Sequence, residues 1–199
     1  MVNTSNNYDK SPQKPGDGGL STTPPLLPFE IPSRFIDIPD TVINIISRYM
    51  NVVIESGTPG REVNIKKILN NAKMMFRDGI KYNDELWLQH CASSIRELID
   101  FLQPENYRDA FSSIPKVDTD PKVESIFNFL NKAKTYLSDI VHFREAVKLG
   151  NFEKLYPGQG YGQIKKDAFL KQEDKYFEKV CIDIVCTINQ LFCEYCAGS

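Results

Sequence analysis

The sequence predicts an all-α protein: a bundle of five to six up-and-down helices behind an extended, proline-rich N-terminal tail. Three observations carry this. Apolar residues recur at three- and four-residue spacing in every long segment after Pro39, the period of an amphipathic helix. Three of these segments open at a capping residue, Asp40, Asn83 and Asp120, and four close near glycine or proline. No segment sustains the two-residue alternation of a strand, and no internal repeat is present.

Residues 1–33 read as the tail and residues 34–199 as the bundle. The tail holds six of the twelve prolines and three glycines. "TTPPLLPFEIP" cannot be helical, because proline removes backbone donors and pushes the preceding residue to extended geometry. Leu26, Leu27, Phe29 and Ile31 are its only apolar run, with the choice between docking on the domain and disorder left open.

The helices follow in order. "DTVINIISRYMNVVIES" starts at Asp40 and ends at Gly57. "GREVNIKKILNNAKMMFRDG" carries Ile65, Ile68, Leu69, Ala72, Met75 and Phe76 on one face and stops at Gly79. "NDELWLQHCASSIRELIDFLQP" opens at Asn83 with carboxylates in its first turn, favourable to the helix dipole. Its stripe is Trp87, Cys91, Ser94, Ile95, Leu98 and Leu102. "PENYRDAFSSI" reads as a short helix. "DPKVESIFNFLNKAKTYLSDIVHFREAVKLG" reads as the longest, capped by Asp120, with Pro121 where a missing N–H costs nothing, and ended by Gly150. After the loop "NFEKLYPGQGYGQIKKD", the last helix is expected from Ala168 to Cys196. The helices from Asn83, Asp120 and Ala168 are expected at the centre, with antiparallel neighbours where loops are short.

Bulk composition excludes several functions. Net charge is −2 over 199 residues, with 41% hydrophobic and 25% charged, so no global field drives binding to nucleic acid or membrane. No apolar run approaches the roughly 20 residues that cross a bilayer. The N-terminus has no charged start followed by an apolar stretch, so no secretory signal is read. Five cysteines, an odd number with four in one helix, suit reduced thiols and a cytoplasmic setting.

Chemistry-bearing residues are few. In "SDIVHFREAV", a wheel at about 100° per residue puts Arg144 on the side of Leu137 and Ile140, with His142 and Phe143 on the flank. A charge on that stripe needs a carboxylate, for which Glu97 and Asp78 are candidates, or must lie past the core's edge. A ligand-binding or catalytic role is the sharper alternative. His90 and Cys91 are adjacent, but neighbours on a helix point about 100° apart, and a thiol on the apolar stripe is inert. Cys181 and Cys196 stand about 22 Å apart along one helix at 1.5 Å per residue, so the cysteines cannot share one ion, and no metal or cofactor is expected. They read as core, with Cys193 and Cys196 the one spacing open to a redox role. The glycines of "YPGQGYGQIKK" follow no strand and match no phosphate-binding fingerprint; they read as a connection, with phosphate contact the alternative. Lys66, Asn70, Lys73 and Arg77 form a basic stripe on the second helix, a solvated face or a contact for nucleic acid or an acidic partner.

"CASSIRELIDFL" and "LNKAKTYLSDIVHFREAV" resemble the central helices of HEPN-like domains, all-α proteins of prokaryotic defence and toxin systems. The resemblance implies a compact bundle that dimerises, and, in active members, an arginine placed shortly before a histidine that cleaves RNA at the dimer interface. Here the order is reversed. Arg144 follows His142 by two positions and Arg96 follows His90 by six. Arg96, His142 and Arg144 are nevertheless the residues to which that resemblance directs attention. The leading expectation is a non-enzymatic bundle acting by protein–protein contact, with a protein partner or itself as a homodimer. The alternative is a HEPN-like ribonuclease or RNA-binding component.

Overall fold

A computed structural model describes residues 30–57, 60, 63–102, 111 and 114–196. Leu26, Leu27 and Phe29 lie outside the described residues, as does most of the short helix expected over 104–114. The described residues form seven α-helices and no strand: α1 (Asp40–Gly57), α2 (Ile65–Tyr82), α3 (Glu85–Phe101), α4 (Pro121–Val141), α5 (Glu145–Leu155), α6 (Lys166–Leu170) and α7 (Glu173–Tyr195). The all-α bundle is as expected; the extra helices arise because two elements expected to be continuous are broken.

The first break is in the longest expected helix. The Asp120 carboxylate accepts from the N–H groups of Lys122 and Val123, with Pro121 in the first turn. The far end is not at Gly150. The chain leaves α4 after Val141, and α5 starts at Glu145, so Gly150 lies inside α5. The second break, at Lys171 and Gln172, splits α6 from α7. At the α2–α3 junction, α2 runs through Gly79 to Tyr82, and Asp84 rather than Asn83 caps α3, accepting from Leu86 N–H at 2.9 Å.

α3 packs on α4 and α4 on α7, whose buried face is the longest, from Phe177 to Phe192. α4 and α7 run antiparallel. At one end Lys122 pairs with Glu194 and Tyr195 donates to Asp120; at the other, Ile140 faces Glu173 and Phe177 across one hollow. α1 runs alongside α7, with Tyr49 stacked on Phe192 at 5.3 Å and its hydroxyl donating to the Cys196 carbonyl. α2 packs between α1 and α3.

Before α1, a 3-10 turn at Phe35–Asp37 anchors the chain. The Phe35 ring is fully buried, edge-on to Phe76 at 5.8 Å, and its N–H donates to Glu178 at 2.9 Å. Ile31, a candidate for docking, is instead exposed. The glycine-rich loop is tied down by its tyrosines. Tyr156 is buried, donating to Asp183 at 2.6 Å, and Tyr161 lies edge-on to Phe152 at 4.9 Å.

Candidate functional site

One pole of the bundle gathers the ends of four helices. α2 and α4 finish there and α3 and α7 begin there, around a hollow of about 390 Å³. Its walls are apolar (Ile80, Leu88, Ile140, Leu170, Phe177) and its edges acidic: Asp84, Glu85, Glu145, Glu173 and Asp174, with Lys171 the one lining cation. The carboxylates at the α3 and α7 starts follow from helix physics, since negative charge there complements the unsatisfied N–H groups.

Both helices that end at this pole do so in the same way. The chain reverses through a residue in the left-handed conformation, and two backbone bonds close the turn. At the end of α2 the residue is Asn83, with φ 48°; Asp84 N–H donates to Gly79 and Asn83 N–H to Ile80. At the end of α4 it is Phe143, with φ 52°; Arg144 N–H donates to Asp139 at 2.8 Å and Phe143 N–H to Ile140 at 3.3 Å. Asparagine tolerates this conformation, whereas a bulky residue there is a strained outlier. Packing does not explain the choice, because Phe143 is 55% exposed.

Phe143 is not alone. Of the eight large hydrophobic side chains exposed among the described residues, five border this pole: Ile80, Tyr82, Leu86, Phe143 and Val147. Tyr82 is 62% exposed and Leu86 56%. Beside the acidic hollow, and sharing Glu145 with it, is a shallower one lined by Phe143, Arg144, Ala146, Val147 and Lys166.

Beneath the pole lies a buried polar cluster. Lys148, on α5, is fully buried. Its ammonium donates to Glu173 Oε1 at 2.7 Å and lies 3.9 Å from Glu85 Oε1. Next to it, Asp139 is buried and accepts from Asn151 Nδ2 at 2.6 Å. Burial, with Glu173 nearby, pushes the Tyr136 hydroxyl well above its usual range, and its oxygen has no hydrogen-bond partner among the described residues. A phenol so placed stays neutral, and the contacts of Lys148 with Glu173 and Glu85 tie α5 to α7 and α3. Among the described residues no group of histidines, cysteines and carboxylates could hold a metal ion, and no helix is long and apolar enough to cross a membrane.

The residues singled out from sequence are dispersed. Arg144 does not point along the core stripe: the wheel assumed a continuous helix, but the chain breaks at Phe143, leaving Arg144 exposed at the start of α5. Neither suggested partner meets it, since Asp78 pairs with Arg77 at 3.0 Å and Glu97 is exposed. His142 is exposed at the end of α4. Arg96 lies elsewhere, its Nε 3.7 Å from Asp100, which also takes Lys134. Lys134 is roughly 12 Å along α4 from His142 at 1.5 Å per residue, so Arg96 does not join the other two. In the basic stripe, Lys73 donates to the Ile38 carbonyl at 2.8 Å and Arg77 is paired, while Lys66 is exposed without a partner among the described residues. Cys91, Cys181 and Cys196 are fully buried, Cys186 is buried and Cys193 half-buried, and no disulfide joins any two of the five.

Lys148 and Phe143 were not singled out by sequence reasoning. A signal existed for the first: once α5 starts at Glu145, the buried positions Lys148, Phe152 and Leu155 fall at helical spacing, and a lysine on that stripe demands a carboxylate. Comparison with protein-family models, curated proteins and solved structures finds no match to this chain.

Proposed function

We propose that this chain works by protein–protein contact rather than catalysis, in the cytoplasm, and that the pole around Phe143 is its contact face. The observation that carries this reading is Phe143 itself: an aromatic ring held out to solvent from a backbone conformation that disfavours it. Strain of this kind persists where the side chain has a use that its own fold does not supply, and exposed aromatics flanked by further apolar side chains are the usual centre of a protein interface. Nucleic-acid contact through Lys66, Lys73 and Arg77 is the weaker reading, because two of those three cations are already engaged within the chain.

The test places a photo-crosslinking amino acid at position 143 and, as control, at exposed Val52 on α1, in the cells that make the protein. The expected result is a discrete protein adduct, with another chain or with a second copy, from position 143 alone. Equal diffuse labelling from both positions, or none, overturns the reading.

A further inference from the structure

Resting on the contact-face reading, we infer that the occupant of the pole is a second copy of this chain, joined about a two-fold axis so that the basic hollow of each copy faces the acidic hollow of the other. The two hollows lie side by side and share Glu145 as their common wall. One carries Arg144 and Lys166; the other carries Asp84, Glu85, Glu173 and Asp174 against Lys171, and of these Glu85 and Glu173 already share Lys148, so Asp174 is its uncommitted carboxylate beside Glu145. A two-fold contact presents the same patch from both copies. A patch with adjacent halves of opposite sign is complementary to itself when turned about an axis through its dividing line, here Glu145 and the neighbouring Phe143.

The charges are also available. Among the described residues, the side chains of Arg144, Lys166, Glu145 and Asp174 make no ion pair or hydrogen bond within their own chain, although the signs stand close on one pole. No other described residue satisfies these groups, and like-sign contact with a wrong partner is penalised. The net charge of −2 leaves little long-range repulsion between copies. Phe143, Val147, Tyr82 and Leu86, spread around the dividing line, supply the apolar surface that an interface core needs.

The test uses the purified full chain in sedimentation equilibrium from about 1 µM to several hundred µM, a range that spans weak to moderate dimers. The expected result is a monomer–dimer equilibrium that weakens with salt, and at least about tenfold in Phe143→Gly, which suits the backbone and keeps the fold. A basic-reversed chain, Arg144→Glu with Lys166→Glu, and an acid-reversed chain, Glu145→Lys with Asp174→Lys, are each expected to be monomeric alone and to pair when mixed. A wild-type chain monomeric throughout overturns the inference; position 143 could still crosslink a different protein, and the contact-face reading would then stand without it. A dimer indifferent to every one of these changes places the interface elsewhere, and variants that fail to pair on mixing overturn the facing of the two hollows.

Discussion

Lys148 Nζ lies 2.7 Å from Glu173 Oε1, and the lysine side chain is 1% exposed. The pair joins α5 to α7. Its two members are not equivalent: the glutamate, 22% exposed, still reaches water, whereas the ammonium does not. Truncating the buried partner removes both the charge and the aliphatic stem. Lys148→Ala is therefore expected to cost about 3–5 kcal/mol in chemical denaturation. Lys148→Met keeps the stem and is expected to cost less, and adding Glu173→Gln to it to recover part of the loss.

The opposite holds for Arg144 and His142. Both are exposed in the turn between α4 and α5, and neither side chain has a partner among the described residues. Arg144→Ala and His142→Ala are each expected to shift stability by no more than about 0.5 kcal/mol, the usual range for surface changes. A loss of several kcal/mol in the arginine variant would restore the core-facing placement that the helical wheel suggested.

Phe143 allows the backbone to be tested apart from the ring. At φ 52°, glycine relieves a strain that alanine keeps. Phe143→Gly is expected to be more stable than Phe143→Ala by about 1 kcal/mol and no less stable than the parent chain. Thermal melts of the three proteins decide this, and an alanine variant equal to glycine would mean that the left-handed turn is not populated.

Phe35 should behave as core although it precedes the first long helix. Its ring is fully buried against Phe76 and its N–H is held by Glu178. Phe35→Ala is expected to cost about 3–5 kcal/mol, as for other fully buried aromatics. Ile31→Ala, four residues earlier and exposed, is expected to be silent in the same denaturation experiment.

Asp120 gives a pH signature. The backbone N–H of Lys122, then that of Val123, with help from the Tyr195 hydroxyl and the Lys122 charge, holds its carboxyl below the ordinary 3.8 despite an opposing effect of desolvation. A carboxyl depressed in the folded state stabilises above its unfolded value, and that stabilisation is lost as pH falls through the folded value. The stability difference between the parent chain and Asp120→Ala is thus expected to be constant above about pH 5 and to shrink below 3.8. A difference that grows on acidification would reverse the assignment.

The contrast between Asn83 and Phe143 explains what was legible in the sequence. The start of α4 was readable because Asp120 and Pro121 announce themselves by residue type. The end of α4 was not, because its left-handed position holds a residue that ordinarily forbids the turn, so the helical pattern runs on through "HFREAV" to Gly150 without interruption. That single misreading carried others with it. It placed Arg144 on a core stripe that ends before it, and it hid Lys148, which becomes a core position only after α5 is given its own start. The buried face of α7 was readable, since Phe177, Val180, Cys181, Ile184, Ile188 and Leu191 recur at helical spacing and are buried there. The pole was not, because it is assembled from four helix ends and no single segment carries its pattern.

The anchoring of Phe35 and Tyr49 by α7 has a consequence for how the protein comes into being on the ribosome. Phe35 finds its hydrogen-bond acceptor in Glu178, and Tyr49 its acceptor at Cys196, so the earliest described segments are completed by the latest. Helices α1 to α6 emerge with the surfaces that α7 covers, among them Phe76 and Tyr136, still facing water. The six helices made first leave the ribosome before the face that completes their core.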